Sequence, residues 1–333
     1  MGKLLALLLV FSLSFSETVV VPIPGQRQEE TPSGGGGGGS SGIGVVVGVL
    51  VGVGILLLLS KVASPKASRS DRALFIPFQF IAVYRGELPP DIKPSQSLQV
   101  SGLKFSLIEW REEEQKLRQR LQKKVLILQP NYLYELLGEA SPLPVRDSSP
   151  TSQRLVAILD SGADPQQLKD ILLFTKNMRE DPYRAEPHGT AVAYLAHRAS
   201  KAKVALYRVC SRGRCDSWSI IKALADILRR DIRVVNMSLG TQAEDGAVKL
   251  LIKLLSAKGV RITAPVGNEP RDPVPFPARL EEVISVAGAP CFPEKVCIKA
   301  KAREPYEFEL PFGTFRGTSF SSAFHAGKLV LDY

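Results

Sequence analysis

The sequence predicts an α/β fold: a parallel, doubly wound sheet with helices on both faces, preceded by a small α+β segment and a membrane segment. Three observations carry that expectation. Continuous apolar runs, the mark of strands buried on both faces, recur at Leu155–Leu159, Val204–Val209, Arg233–Met237, Val260–Ala264 and Val283–Ala287. Helical stretches separate them at about His188–Ala199, Ser217–Arg230 and Asp245–Lys258, and such alternation predicts parallel strands joined through helices. Upstream, Ile43–Leu59 runs for 17 residues without a charge, the short end of what crosses a bilayer.

Composition bounds the rest. The 333 residues allow one full-sized domain and a smaller one. With 44% hydrophobic and 23% charged residues, a wholly disordered chain is excluded. The net charge is +10, but Lys and Arg form no concentrated patch interleaved with aromatics. Nucleic acid is therefore the weakest candidate partner, and none is expected.

Residues 1–16 read as a secretory signal peptide: Lys3, an apolar run from Leu4 to Phe15, then small residues around a cleavage position. An uncleaved anchor is the competing reading. Residues 17–42 form a spacer that contains the glycine run Gly34–Gly39. Residues 43–60 are the expected transmembrane segment, in which Gly44, Gly48 and Gly52 share one helix face suited to self-association. The basic flank 61–73 carries Lys61, Lys66, Arg69 and Arg72, which by the positive-inside tendency favours a cytoplasmic downstream domain.

Residues 74–137 predict a small α+β unit, with strands at Phe78–Tyr84 and Val125–Leu128 and a helix over Glu109–Lys124. Glu112/Lys116 and Glu114/Arg118 are i,i+4 pairs on that helix. Residues 138–153, rich in Ser and Pro, read as a linker to the α/β domain at 154–333.

In doubly wound sheets the working residues gather beyond the strands' C-terminal ends. There lie Asp160 in Val156-Ala-Ile-Leu-Asp-Ser-Gly162 and Asn268 in Ile262-Thr-Ala-Pro-Val-Gly-Asn268. His188 opens a helix in His188-Gly-Thr-Ala-Val192, and Ser319 opens another in Gly317-Thr-Ser-Phe-Ser-Ser-Ala323. Each has a bland role taken singly, as a cap, a turn or a structural histidine. Together they meet one chemical demand. A serine hydroxyl is a poor nucleophile and needs a base, which His188 supplies, with Asp160 fixing the imidazole tautomer. Asn268 and the Ser319 backbone N–H can then stabilise an oxyanion, where losing one donor costs ~10²–10³ in rate.

In chain order Asp, His, Ser, these segments resemble the subtilisin-like serine proteases, the subtilases. Val235-Asn-Met-Ser-Leu-Gly240 resembles the family's cleft-lining strand, Pro265–Glu269 its oxyanion loop and Phe276-Pro-Ala278 the turn after it. Gln129-Pro-Asn-Tyr-Leu-Tyr134 resembles the end of a subtilase pro-segment. The resemblance implies a subtilisin-like fold over 154–333 and a serine endopeptidase acting on protein or peptide substrates. With only His188, His197 and His325 and no HExxH, a metalloprotease has no ligand set, so no metal is expected, nor any cofactor. The resemblance also implies a zymogen whose segment 74–137 serves as chaperone and temporary inhibitor, cut off near Leu136–Ser149. Ser238, Leu239, Gly240, Pro265, Val266 and Gly267 would wall the S1 pocket, and their uncharged character implies a broad or apolar P1 preference.

Departures from the family pattern are specific. Ala323 replaces the usual proline, Phe320 the usual methionine, and 14 residues follow Ser319 where C-terminal helices are usual. The shortened end motivates an alternative, a catalytically silent scaffold at the membrane, which the intact Asp160, His188, Asn268 and Ser319 oppose. Cys210 with Cys215, and Cys291 with Cys297, suit two short-loop disulfides. Four zinc-binding cysteines or free thiols are the alternatives, although neither spacing is the tight C-x₂-C of common zinc sites. The leader, the cysteine pairs and the family's habits favour a membrane-anchored, extracytoplasmic peptidase domain over the cytoplasmic placement that the basic flank suggests.

Overall fold

The computed structural model describes residues 74–138, 153–270, 273–310 and 313–333. The expected leader, spacer, membrane run and basic flank lie outside the described residues, as does the linker apart from residues 138 and 153. Among the described residues no helix is long and apolar enough to cross a membrane.

The first unit comprises strands β1 (Phe75–Tyr84), β2 (Gln96–Val100) and β3 (Leu103–Glu109), helix α1 (Glu114–Leu121) and strand β4 (Val125–Leu136). They form an antiparallel sheet ordered β2-β3-β1-β4. The helix is shorter than the stretch Glu109–Lys124 predicted, because Glu109 still pairs with Gln79 in the sheet. Strand β4 is longer than Val125–Leu128, since it stays paired with β1 as far as Tyr132 and its last residues find partners outside this unit.

The second unit supplies β5 (Leu155–Asp160), β6 (Leu172–Asn177), α2 (Pro187–Ser200), β7 (Lys203–Arg208), β8 (Cys210–Ser211), β9 (Arg214–Asp216) and α3 (Ser217–Ile227). There follow β10 (Val234–Met237), β11 (Leu239–Gly240), α4 (Gly246–Ala257), β12 (Arg261–Pro265), β13 (Val283–Ala289) and α5 (Glu294–Cys297). Last come β14 (Ala302–Pro305), β15 (Glu307–Leu310), β16 (Gly313–Arg316) and α6 (Thr318–Leu329). Among the described residues seven strands make one parallel sheet ordered β14-β13-β12-β10-β5-β7-β6. The five strands that the apolar runs predict are its middle. The edges β6 and β14 carry polar residues, Thr-Lys-Asn and Arg-Glu, and lack that signal.

Helices cover both faces. Val192 and Leu195 of α2 with Phe320 and Ala323 of α6 pack on Val156, Ile158, Val204 and Leu206. Opposite, Ile220, Leu224, Leu251 and Leu255 of α3 and α4 pack on Ala157, Leu159, Val235 and Ile262. The same apolar cluster continues into Ile81, Val83, Phe105 and Ile127 of the first unit, whose sheet therefore lies across α3 and α4. Each of the buried Val, Leu, Ile and Phe side chains contributes ~1.5–3 kcal/mol. The first unit also caps both helices: Asn131 Oδ1 accepts from the Trp218 N–H at 3.1 Å, and Gln129 Oε1 from the Ala247 N–H at 3.1 Å.

Candidate active site

The C-terminal ends of β5, β10 and β12 and the N-terminal ends of α2 and α6 meet at one place. Asp160 is the last residue of β5 and is fully buried. His188 sits in the first turn of α2, after Pro187, a residue that suits a helix start. Its Nδ1 lies 2.8 Å from Asp160 Oδ1, with the ring N–H donating. Asp160 Oδ1 also accepts from the Ser161 N–H at 2.7 Å. Gly189 lets the two elements meet: a Cβ there would lie 2.4 Å from the Ser161 carbonyl oxygen.

Ser319 occupies the first turn of α6 and is fully buried. Its Oγ donates to the Ser238 carbonyl at 3.2 Å, and the Ser238 Oγ donates back to the Ser319 carbonyl at 3.0 Å. His188 Nε2 is buried without a hydrogen-bond partner among the described residues. The structure thus joins Asp160 to His188 directly and holds Ser319 against β10–β11. Asn268 Oδ1 accepts from the Thr318 N–H at 2.9 Å and from Thr318 Oγ1 at 3.0 Å, which leaves its Nδ2 as the group facing the cleft.

The cleft is filled by the chain itself. The end of β4 runs antiparallel to β9 on one side, Leu133 opposite Asp216 and Glu135 opposite Arg214. On the other side it is antiparallel to β11, Leu136 opposite Leu239 and Glu135 opposite Gly240. Leu137 follows, and its carbonyl accepts from the Ser319 N–H at 3.1 Å. A Cβ on Gly317 would lie 3.2 Å from that carbonyl oxygen and 3.5 Å from Asn268 Nδ2, so amide and carbonyl share one small space. The Leu137 side chain rests on Gly240, with Cδ1 3.0 Å from where a Cβ there would sit. Of the other residues named for the pocket wall, Leu239 pairs with β4, and Pro265 ends β12. Val266 packs with Ala287, Val296 and Cys297, and Gly267 adopts φ +95° beside Pro275.

Sequence reasoning misses the groups that set this floor. Asn236 Nδ2 donates to Ser238 Oγ at 2.8 Å, while Asn236 Oδ1 accepts from Thr263 at 3.0 Å and Ser322 at 2.7 Å. Buried polar residues at adjacent strand ends are the signal that could have found them. It also misses β9, the second wall of the cleft. There Cys210 and Cys215 are joined as a disulfide across the β8–β9 hairpin, Cα atoms 4.0 Å apart, and Cys291 is joined to Cys297 beside β13.

A family model described as "Subtilase family" matches residues 152–331. No curated protein matches the chain. Among solved structures, fervidolysin from Fervidobacterium pennivorans, described as a keratinolytic enzyme related to subtilisin, superimposes with a TM-score of 0.57 at 13% identity. That alignment covers 79% of this chain and 55% of fervidolysin, so the chain spans little more than half of that protein's length. The nisin leader peptidase NisP from Lactococcus lactis aligns with a TM-score of 0.43 and 18% identity, over 55% of this chain and 78% of that one. At these identities the likeness to fervidolysin is one of fold.

Proposed function

This chain belongs to the subtilase family, and from that premise we propose a serine endopeptidase made as a membrane-tethered zymogen that cuts itself between Leu137 and Gly138. One observation carries the reading: the Leu137 carbonyl accepts the Ser319 N–H at 3.1 Å while β4 lies between β9 and β11 as a substrate strand would. Rotation of Ser319 away from the Ser238 carbonyl turns Oγ toward His188 Nε2, which takes its proton as Oγ attacks the Leu137 carbonyl carbon. Asp160 holds His188 in the Nδ1–H tautomer and stabilises the imidazolium. The Ser319 N–H and Asn268 Nδ2 meet the oxyanion. Collapse of the intermediate breaks the Leu137–Gly138 bond, and His188 gives its proton to the departing Gly138 amine. Water then hydrolyses the Leu137 ester of Ser319.

On this reading Ser238, Leu239, Gly240, Pro265, Val266 and Gly267 receive an apolar side chain such as that of Leu137. Residues 74–137 act as chaperone and temporary inhibitor. Residues 1–16 direct export, 43–59 anchor the chain, and Gly44, Gly48 and Gly52 associate copies. The peptidase domain then stands outside the cytoplasm, where disulfides at Cys210–Cys215 and Cys291–Cys297 persist.

Mass spectrometry of the expressed wild type beside Ser319→Ala, with casein digestion by both, tests the reading. The wild type is expected to split after Leu137 and to digest casein, and Ser319→Ala to stay whole and inert. Two intact chains that leave casein untouched, even after an added protease removes the first unit, would overturn it.

A further inference from the structure

Counting back from the Leu137 carbonyl, Tyr134 is the fourth residue before the bond that the proposed function cuts. Its side chain is fully buried. The ring lies 6.2 Å from that of Phe276, an apolar wall that any aromatic side chain would satisfy. Its end is different. The Tyr134 hydroxyl donates to Asp245 Oδ2 at 2.8 Å, and that carboxylate is itself fully buried.

Among the described residues Asp245 has four donors. Two belong to the first unit, Tyr134 on Oδ2 and Gln129 Nε2 on Oδ1 at 2.8 Å. Two belong to the peptidase domain and remain when the first unit leaves. Those are the Val248 N–H on Oδ1 at 2.9 Å, a helix N-cap bond, and the Ser217 Oγ on Oδ2. The carboxylate is therefore held in place by its own domain, with acceptor capacity left at the bottom of the subsite. A peptide that fills this subsite with a purely apolar ring strips the carboxyl of solvent and returns no donor, which leaves a buried acceptor unpaired at a cost. A tyrosine returns one at the right depth.

We propose that this subsite selects tyrosine at the fourth position before the cut bond, with Asp245 reading the phenolic hydroxyl. The proposal rests on the reading of residues 134–138 as a substrate strand, and it narrows the substrates to chains carrying Tyr-x-x-Leu before the cut. Discrimination by an acceptor built for a hydroxyl is stronger than discrimination by apolar fit, because the analogue without the hydroxyl leaves the acceptor unpaired.

The test compares two quenched fluorogenic peptides on the matured full chain, one carrying Tyr-Glu-Leu-Leu-Gly as in residues 134–138 and one with Phe in the first place. The cost of leaving a buried acceptor unpaired predicts that kcat/KM favours tyrosine by at least about tenfold. Asp245→Ser, which keeps a helix-capping oxygen but withdraws the carboxylate, is expected to bring the ratio close to one. Equal rates on the two peptides by the wild type would overturn the subsite while leaving proteolysis standing. If neither peptide is cut, the proposed function fails, and the contact is decided separately in Ser319→Ala by a double-mutant cycle of Tyr134→Phe with Asp245→Ser on thermal stability. Coupling between the two substitutions supports recognition of the hydroxyl by Asp245; additive effects overturn it.

Discussion

Gly138 and Asn268 carry the sharpest consequences at the scale of single residues. A Cβ on residue 138 would lie 2.9 Å from Phe320 Cε2 and 3.3 Å from Ser319 Cβ. Phe320 cannot easily retreat, since its ring is buried against His188 at 5.3 Å and Phe315 at 5.6 Å. Gly138→Val is therefore expected to slow self-processing about tenfold or more, the cost of overpacking a filled site, measured as the half-time for loss of the intact band. Phe320 reads from the sequence only as a departure from a familiar pattern; its role as a lid over residue 138 needs the chain to be folded back on itself. Asn268→Ala is expected to lower kcat by ~10²–10³ on any cleaved peptide. An unchanged kcat would remove Asn268 from the oxyanion site.

Elements differ in how far their sequences disclose them. Strands β5, β7, β10, β12 and β13 are buried on both faces and write themselves as continuous apolar runs. The hairpin β8–β9 is too short to carry a period, and the last residues of β4, from Leu133 on, pair with strands from the other unit, a relation that no local pattern encodes. Asp160, His188, Asn268 and Ser319 are legible because each sits in a motif, whereas Asp245 reads as an ordinary helix cap. The hairpin is tied down by charge as well as by its disulfide. Arg179 pairs with Asp216 of β9 at 2.8 Å, and with Asp181 at 2.8 Å. Asp181 in turn pairs with the buried Arg208 at 2.5 Å. Burial alone would raise the Asp181 carboxyl, but its hydrogen bonds to Arg208 and Arg179 prevail and hold it down at about 2. A carboxyl lowered by folding adds stability above its ordinary value of 3.8, and that stability is lost as pH falls toward 2. The urea midpoint is thus expected to drop over that interval, and Asp181→Asn to flatten that part of the profile. A wild-type midpoint constant from pH 4 to pH 2 would refute this.

For the whole molecule, the decisive feature is that the strand filling the cleft is part of the same polypeptide. While the chain is intact, the occupant is present at an effective concentration in the millimolar range or above, and no dilution can dislodge it. A cut after Leu137 makes occupancy bimolecular, so specific activity is expected to rise as processed material is diluted. Activity per mole that stays constant over a thousandfold dilution would count against that exchange. The position of the cut also decides which part keeps the anchor. Everything N-terminal to Gly138, the proposed membrane run included, departs with the strand that blocked the cleft. The membrane would then retain the spent inhibitor as a two-dimensional film, and the free domain would carry its activity away by diffusion. Distance from the surface would act as the timer.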